Sequence, residues 1–278
     1  MNKNLKNDSL SDRMKRYEFV TTGTNLLERL PIYARIDMRA GHSWCRNLNK
    51  PFDDDYSNAM QSATAYIVEK TGAIVGYTQS DEASFVWEDS TKIPFETRLF
   101  KLQSVLASMF TSAFIKACLK TKLEDKLEKS LPSFDCRVLN LPSMSEAANM
   151  ILWREKDSIK NSITLLALEH FSNNDIYKKN STEKIDMLKT LKNVCYEEVL
   201  TESQRNGAYF RREVFQHELS NDELQKIPEN HWPPADENGN RAVTRSRVVE
   251  FSFGMPISQI ENRVAALFYH EKPIARQK

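Results

Sequence analysis

The chain has 278 residues, 40% hydrophobic and 28% charged, enough to bury one large core or two smaller ones. Lys and Arg number 39 against 38 Asp and Glu, and the net charge of +1 gives no global attraction for nucleic acid, so any binding to RNA would have to rest on local basic clusters. No run of about 18 apolar residues occurs, which excludes a helical membrane span. Cys45, Cys118, Cys136 and Cys195 lack CxxC spacing, so neither a zinc site nor a disulfide framework is indicated.

The N-terminus, MNKNLKNDSLSD, is polar without an apolar core, and is expected to be a short mobile arm of a cytoplasmic protein. Pro31 to Ile36 is an apolar run of strand character that ends on Asp37. At 53–70, Tyr56, Met60, Ala63 and Ile67 recur at helical spacing behind an acidic first turn, the pattern of a helix packed on a sheet. Residues 73–79 and 83–87 read as two strands joined at Ser80 to Glu82, a tight hairpin with Asp81 and Glu82 at its tip. Pro94 is placed to begin the next helix, whose apolar stripe is Leu102, Leu106, Met109, Ala113 and Ala117. A strand at 136–141 follows, and Ser143 with Glu146 spells a capping box opening a helix on which Trp153, Asp157 and Asn161 share a face.

The order β-α-β-β-α-β predicts an α+β fold of ferredoxin-like type. Residues 1–165 read as its core with the N-terminal arm, and 166–278 as a helical and β-hairpin extension packed on it. Within the extension, 173–200 is helical and rich in Lys and Glu, and 208–216 and 243–254 read as two strands. The Pro- and Asn-rich stretch between them ends on Arg241, Arg245 and Arg247; a solvated loop is the expectation there and an RNA contact the alternative.

Asp37 and the Asp81–Glu82 pair each stand where an apolar strand ends. Carboxylates from different strands brought side by side make an oxygen-donor site for Mg²⁺. A pair of metals held that way activates an attacking hydroxyl and neutralises a leaving phosphate, the logic of nucleotidyl transfer on a polymerase palm. Taken singly, an Asp at a strand end is a turn former or a helix cap.

The run Arg35, Asp37, Arg39, His42 followed by Ser80, Asp81, Glu82 resembles the tRNA-His guanylyltransferase family, in particular its bacterial, archaeal and viral Thg1-like branch, whose members add nucleotides to RNA 5′ ends in the 3′-to-5′ direction. The resemblance extends over residues 10–215 and includes DRMKRYE at 12–18 and ETRLFKLQSVLASMFTSAF at 96–114. FDCRVLNLPS at 134–143 and WREKDSIKNSITLLALEHFS at 153–172 complete it.

The resemblance implies a catalytic set of Asp37, Asp81 and Glu82, with two Mg²⁺ ions on Asp37, Asp81 and the carbonyl of Met38, a position usually Gly in the family. It implies that Arg39, Ala40, Gly41 and His42 form a turn around a nucleoside triphosphate, with Arg35, Lys50, Asp53 and Ser80 lining the same site. Arg98, Lys101 and Arg137 fall where the family holds the phosphates of the activating ATP or GTP, and Asp157 and Asn161 remain from the signature on the helix after the third core strand. Ile159-Lys160-Asn161-Ser162 replaces the eukaryotic His-Ile-Asn-Asn, which favours templated repair of tRNA 5′ ends over anticodon-dependent addition of guanylate to tRNA-His, the alternative. The implied partners are tRNA and nucleoside triphosphates in a homodimer or tetramer, with Arg205, Arg211 and Arg212 as candidate RNA contacts. A nucleotidyl cyclase and a non-catalytic RNA binder are the readings from other classes.

Overall fold

A computed structural model describes residues 9–90 and 93–277. Ser9 caps the first helix, α1 (Leu10–Thr22), by accepting the Asp12 N–H, so the expected mobile arm is already helical at its last residues; its first eight lie outside the described residues. The core then runs β1 (Ile32–Met38), α2 (Gly41–Trp44), α3 (Asp54–Thr71), β2 (Val75–Gln79), β3 (Glu82–Trp87), α4 (Leu99–Cys118), α5 (Glu124–Lys129), β4 (Phe134–Asn140) and α6 (Met144–His170). Beyond it follow α7 (Asn173–Ile176), α8 (Ser181–Lys192), α9 (Tyr196–Val199), α10 (Glu202–Asn206), β5 (Ala208–Glu218), α11 (Asn221–Leu224), β6 (Ala242–Phe251) and α12 (Arg263–Phe268).

Among the described residues one sheet of order β4-β1-β3-β2-β5-β6 carries all six strands, each neighbouring pair antiparallel. Side chains alternate across it. Ile32, Ala34, Ile36 and Met38 of β1 face the layer of α3 and α4, where Met60, Ile67, Leu106, Phe110 and Phe114 are buried. Tyr33 and its neighbours face α6 and α12, with Ile151, Leu267 and Phe268. Every residue of β2 and β3 is buried, because both faces of the sheet centre are covered. The second half of α6 builds a smaller core with α7, α8 and α9 around Leu166, Leu188 and Tyr196. Among the described residues no helix is long and apolar enough to cross a membrane.

Local chemistry explains the boundaries and corrects several expectations. Asp53 caps α3 through the Tyr56 N–H, Asp54 and Asp55 follow at its positive end, and Gly72 ends it with φ of 70°. Pro94 does not begin α4. Phe95, Glu96 and Thr97 take φ of 69°, 54° and 62°, left-handed values incompatible with a helix, and main-chain bonds from Leu26 to Thr97 and from Leu99 to Thr24 pin that turn to the preceding segment. The β2–β3 turn has only Ser80 and Asp81 between the paired Gln79 and Glu82, so Glu82 is a strand residue and not part of the tip. Ser143 caps α6, yet the box is half made, since the Glu146 carboxylate accepts from the Asn149 amide.

Candidate functional site

Antiparallel register puts Asp37 opposite Glu82 of β3 on one side and opposite Asp135 of β4 on the other. Directly paired residues share a face, so the three acids stand in a row across the strands on one side of the sheet. Asp81 stands one residue beyond, its carbonyl accepting the Met38 N–H at 2.9 Å. Burial raises the Asp37 carboxyl above its ordinary value, and the charges of Asp81, Glu82 and Asp135 raise it further, with Arg35 opposing. Among the described residues neither the Asp37 nor the Asp81 side chain has a hydrogen-bond or ion-pair partner.

Glu82, expected among the catalytic acids, is engaged by protein partners. Its side chain is buried, ion-paired to Arg154 of α6, and accepts from the Gln79 amide at 2.9 Å. Asp135 was not singled out in the sequence, where it is an isolated acid in FDCR; only its register with Asp37 marks it. Among the described residues no three acidic, His or Cys side chains converge as a ready cation cage. Two unpaired carboxylates with main-chain carbonyls still fit Mg²⁺, which is commonly held by one or two carboxylates and completes its octahedron with water and substrate phosphate. Met38 fits as well. It continues β1 with its side chain 2% exposed in the core, and the left-handed residue of this segment is Ala40, with φ of 54°.

A cavity of about 500 Å³ opens beside Asp81, and Gly41, His42, Lys50, Asp53, Ser80 and Asn161 line it. The Gly41 backbone lies against the Asp81 carboxylate, and a Cβ there would overlap it, so this close approach requires glycine. Among the described residues the first-turn N–H groups of Gly41 and His42 have no protein acceptor. Asp53 is committed to Asn49 and Tyr56 main-chain N–H groups as a cap and shapes the wall. The far wall, Ser158 and Ser162 of α6 with Thr201, Ser203 and Gln204, is neutral and rich in hydrogen-bonding groups.

Other expected members stand apart from the cavity. Arg39 is not among the residues that line it, and its main-chain N–H, expected in a triphosphate nest, donates to the Ser133 carbonyl. Arg35 lies on the α6 side, 5.6 Å from the Trp153 ring centroid. Arg137 is opposite Arg35 in register and 3.7 Å from Asp135, whereas Phe134 and Val138 point to the α4 layer; Arg137 and the α4 pair Arg98 and Lys101 thus belong to opposite faces of the sheet. Lys101 sits 5.2 Å from the Phe95 ring. Asp157 pairs with Arg154 at 3.0 Å.

The three arginines expected at RNA are tied into the fold. Arg205 donates to the Glu197 carbonyl, Arg211 to Glu213, and Arg212 to Ser246 and the Glu69 carbonyl. They stitch α10 and β5 to their neighbours.

The chain thus has a mixed helical and antiparallel-sheet fold with one unpaired acid, Asp81, at the rim of a cavity of ligand size. The family model for tRNAHis guanylyltransferase matches residues 11–142. The tRNA(His) guanylyltransferase of Schizosaccharomyces pombe is 36% identical over 154 residues, 53% of this chain and 58% of that protein. Among solved structures, a bacterial tRNA(His) guanylyltransferase (Thg1)-like protein in complex with ATP is 34% identical with a TM-score of 0.65, covering 73% of this chain and 88% of that one. One in complex with GTP is 28% identical with a TM-score of 0.62, covering 87% and 91%. The chain belongs to the tRNAHis guanylyltransferase family, and its match spans little more than half the length of the yeast relative.

Proposed function

We propose that the protein is a metal-dependent nucleotidyltransferase that adds nucleotides to the 5′ end of tRNA in the 3′-to-5′ direction. The observation that carries this reading is the pair of unpartnered carboxylates, Asp37 and Asp81, the second of which borders a cavity that Gly41, His42, Lys50 and Ser80 also line. Strand order β4-β1-β3-β2 with α3 and α4 on one face supports a ferredoxin-like palm for residues 1–165, with 166–278 as an extension of it.

Asp37, Asp81 and the Met38 carbonyl would hold Mg²⁺, which supplies Lewis-acid activation of the attacking oxygen and neutralises the leaving phosphate. The Gly41 and His42 N–H groups and the Lys50 ammonium orient the triphosphate of ATP or GTP. Arg154 neutralises Glu82, so that acid does not compete for the cation. In the activation step an oxygen of the RNA 5′-monophosphate attacks the α-phosphate of the nucleotide and pyrophosphate leaves. In the transfer step the 3′-hydroxyl of an incoming nucleotide attacks the RNA 5′-phosphate, AMP or GMP leaves, and the hydroxyl proton passes to solvent. Positioning supplies the catalysis without a side-chain nucleophile.

Ile159 and Lys160 in place of the His-Ile of the eukaryotic motif support repair templated by the acceptor stem. The second reading, addition of guanylate to tRNA-His, rests on the names of the relatives. Incubation with 5′-phosphorylated tRNA and α-labelled ATP tests the activity: label is expected on the RNA, while label in a cyclic product or no label overturns it. Comparing kcat/KM on truncated tRNAs that differ only in anticodon, then only in the base opposite the added nucleotide, separates the two readings. Dependence on the opposing base is expected.

A further inference from the structure

Trp153 is exposed where the other tryptophans are engaged. Its relative exposure is 52%, against 7% for Trp44 and 0% for Trp87, while Trp232 donates its indole N–H to the Leu224 and Ile227 carbonyls. The Trp153 ring has the Arg154 guanidinium 4.5 Å and the Arg35 guanidinium 5.6 Å from its centroid. Arg154 is occupied by Glu82 and Asp157, but Arg35 has no ion-pair partner among the described residues, and its neighbour across the sheet is Arg137.

A covering role over the Arg154–Glu82 pair explains one side of the indole. It leaves unexplained why a large aromatic surface stays in water beside an uncommitted guanidinium. Asp37 lies two residues from Arg35 on the same strand face, so this aromatic and cationic surface adjoins the unpaired acids. None of Trp153, Arg35 and Arg137 borders the cavity. Asp81 thus borders the cavity, while Asp37 stands on the sheet face that carries Arg35 and Arg137.

We propose that Trp153 is a stacking shelf for the 5′-terminal base of the RNA substrate, with Arg35 and Arg137 holding the adjacent phosphates. The inference rests on the nucleotidyltransferase reading and adds to it the side from which RNA approaches. Every base has a π-face, so a stacking shelf accepts any terminal nucleotide while the guanidinium groups fix its phosphate.

The test measures binding of 5′-phosphorylated tRNA by the full chain and its W153F and W153A variants, with ATP binding and thermal unfolding measured alongside. The W153A variant is expected to bind tRNA about tenfold more weakly and to show its defect in the KM for tRNA, with W153F within about threefold of the parent. ATP affinity should not change in either. Quenching of tryptophan fluorescence by tRNA should be present in the parent and largely lost in W153F. Unchanged tRNA binding in W153A, quenching that persists in W153F, or parallel loss of ATP binding and thermal stability in both variants would overturn the shelf. A D37N control keeps the two ideas apart: it should bind tRNA without turning over, and turnover by it would sink the nucleotidyltransferase reading whatever Trp153 does.

Discussion

The Arg154 guanidinium, carried on α6, meets the Glu82 carboxylate at the first residue of β3, with side-chain exposures of only 9% and 6%. Removing one partner of such a pair strands the other charge in a poorly solvated place. Arg154→Met is therefore expected to cost about 3–5 kcal/mol in urea unfolding. Glu82→Gln should cost less, because Arg154 keeps Asp157. Equal losses in the two variants would contradict this account.

Asp37 and Asp81 oppose each other in the absence of a cation. Asp37→Asn or Asp81→Asn should leave the fold as stable as the parent or more so, while turnover falls by orders of magnitude. Mg²⁺ with nucleotide should raise the melting temperature of the parent and not of the variants. The Asp37 carboxyl is raised in the folded state, so its contribution to stability is present at acid pH and lost as pH rises through its folded value. Asp37→Asn should remove that slope, which unfolding curves across the acid range would reveal.

Glu155 is fully buried on α6, where its carboxylate accepts the Ile257 N–H at 2.9 Å and the Tyr209 hydroxyl at 2.9 Å. Burial pushes this carboxyl from 4.5 up to about 7. The folded state binds the proton more tightly, so the stabilisation is complete below about pH 4.5 and disappears as pH rises through about 7. The change is on the order of 3 kcal/mol. Glu155→Gln should flatten the dependence, and the protection of the Ile257 amide relative to its intrinsic exchange rate should fall between pH 5 and 8 in the parent alone.

Arg98 and Lys101 lie on the opposite sheet face from Arg137, so they should not behave as one set. Alanine variants of Arg98 and Lys101 are expected to be slow on monophosphorylated tRNA and to recover on tRNA bearing a 5′-triphosphate, which bypasses activation. Arg137→Ala should keep its defect on both substrates and show it in the KM for tRNA. Single-turnover assays on the paired substrates would expose a common defect if the three act together.

Local pattern made much of this legible. The three- and four-residue spacing of Tyr56, Met60, Ala63 and Ile67 is a helix face because those side chains are the ones that reach the sheet. Asp37 and Asp81 stood out because each ends an apolar run. What escaped depends on partners distant in the chain. Asp135 becomes an acid of the site only when β4 pairs with β1, and Glu82 is withdrawn from it by an arginine 72 residues away. The start of α4 at Leu99 instead of Pro94 follows from bonds to Thr24 and Leu26, outside any window around the proline.

The sheet ends on β6, whose outer edge has no further strand among the described residues. Such an edge is a template on which another chain can add. Here its middle, Thr244 to Arg247, is exposed and carries two arginines, one tethered to Glu223 at 3.0 Å and the other lying 5.1 Å from the Phe215 ring. Charged side chains along an unpaired strand are the usual means by which a sheet edge is kept from pairing with a second molecule. The cost of the two arginines to the fold is small, and neutralising both would be felt first as lost solubility.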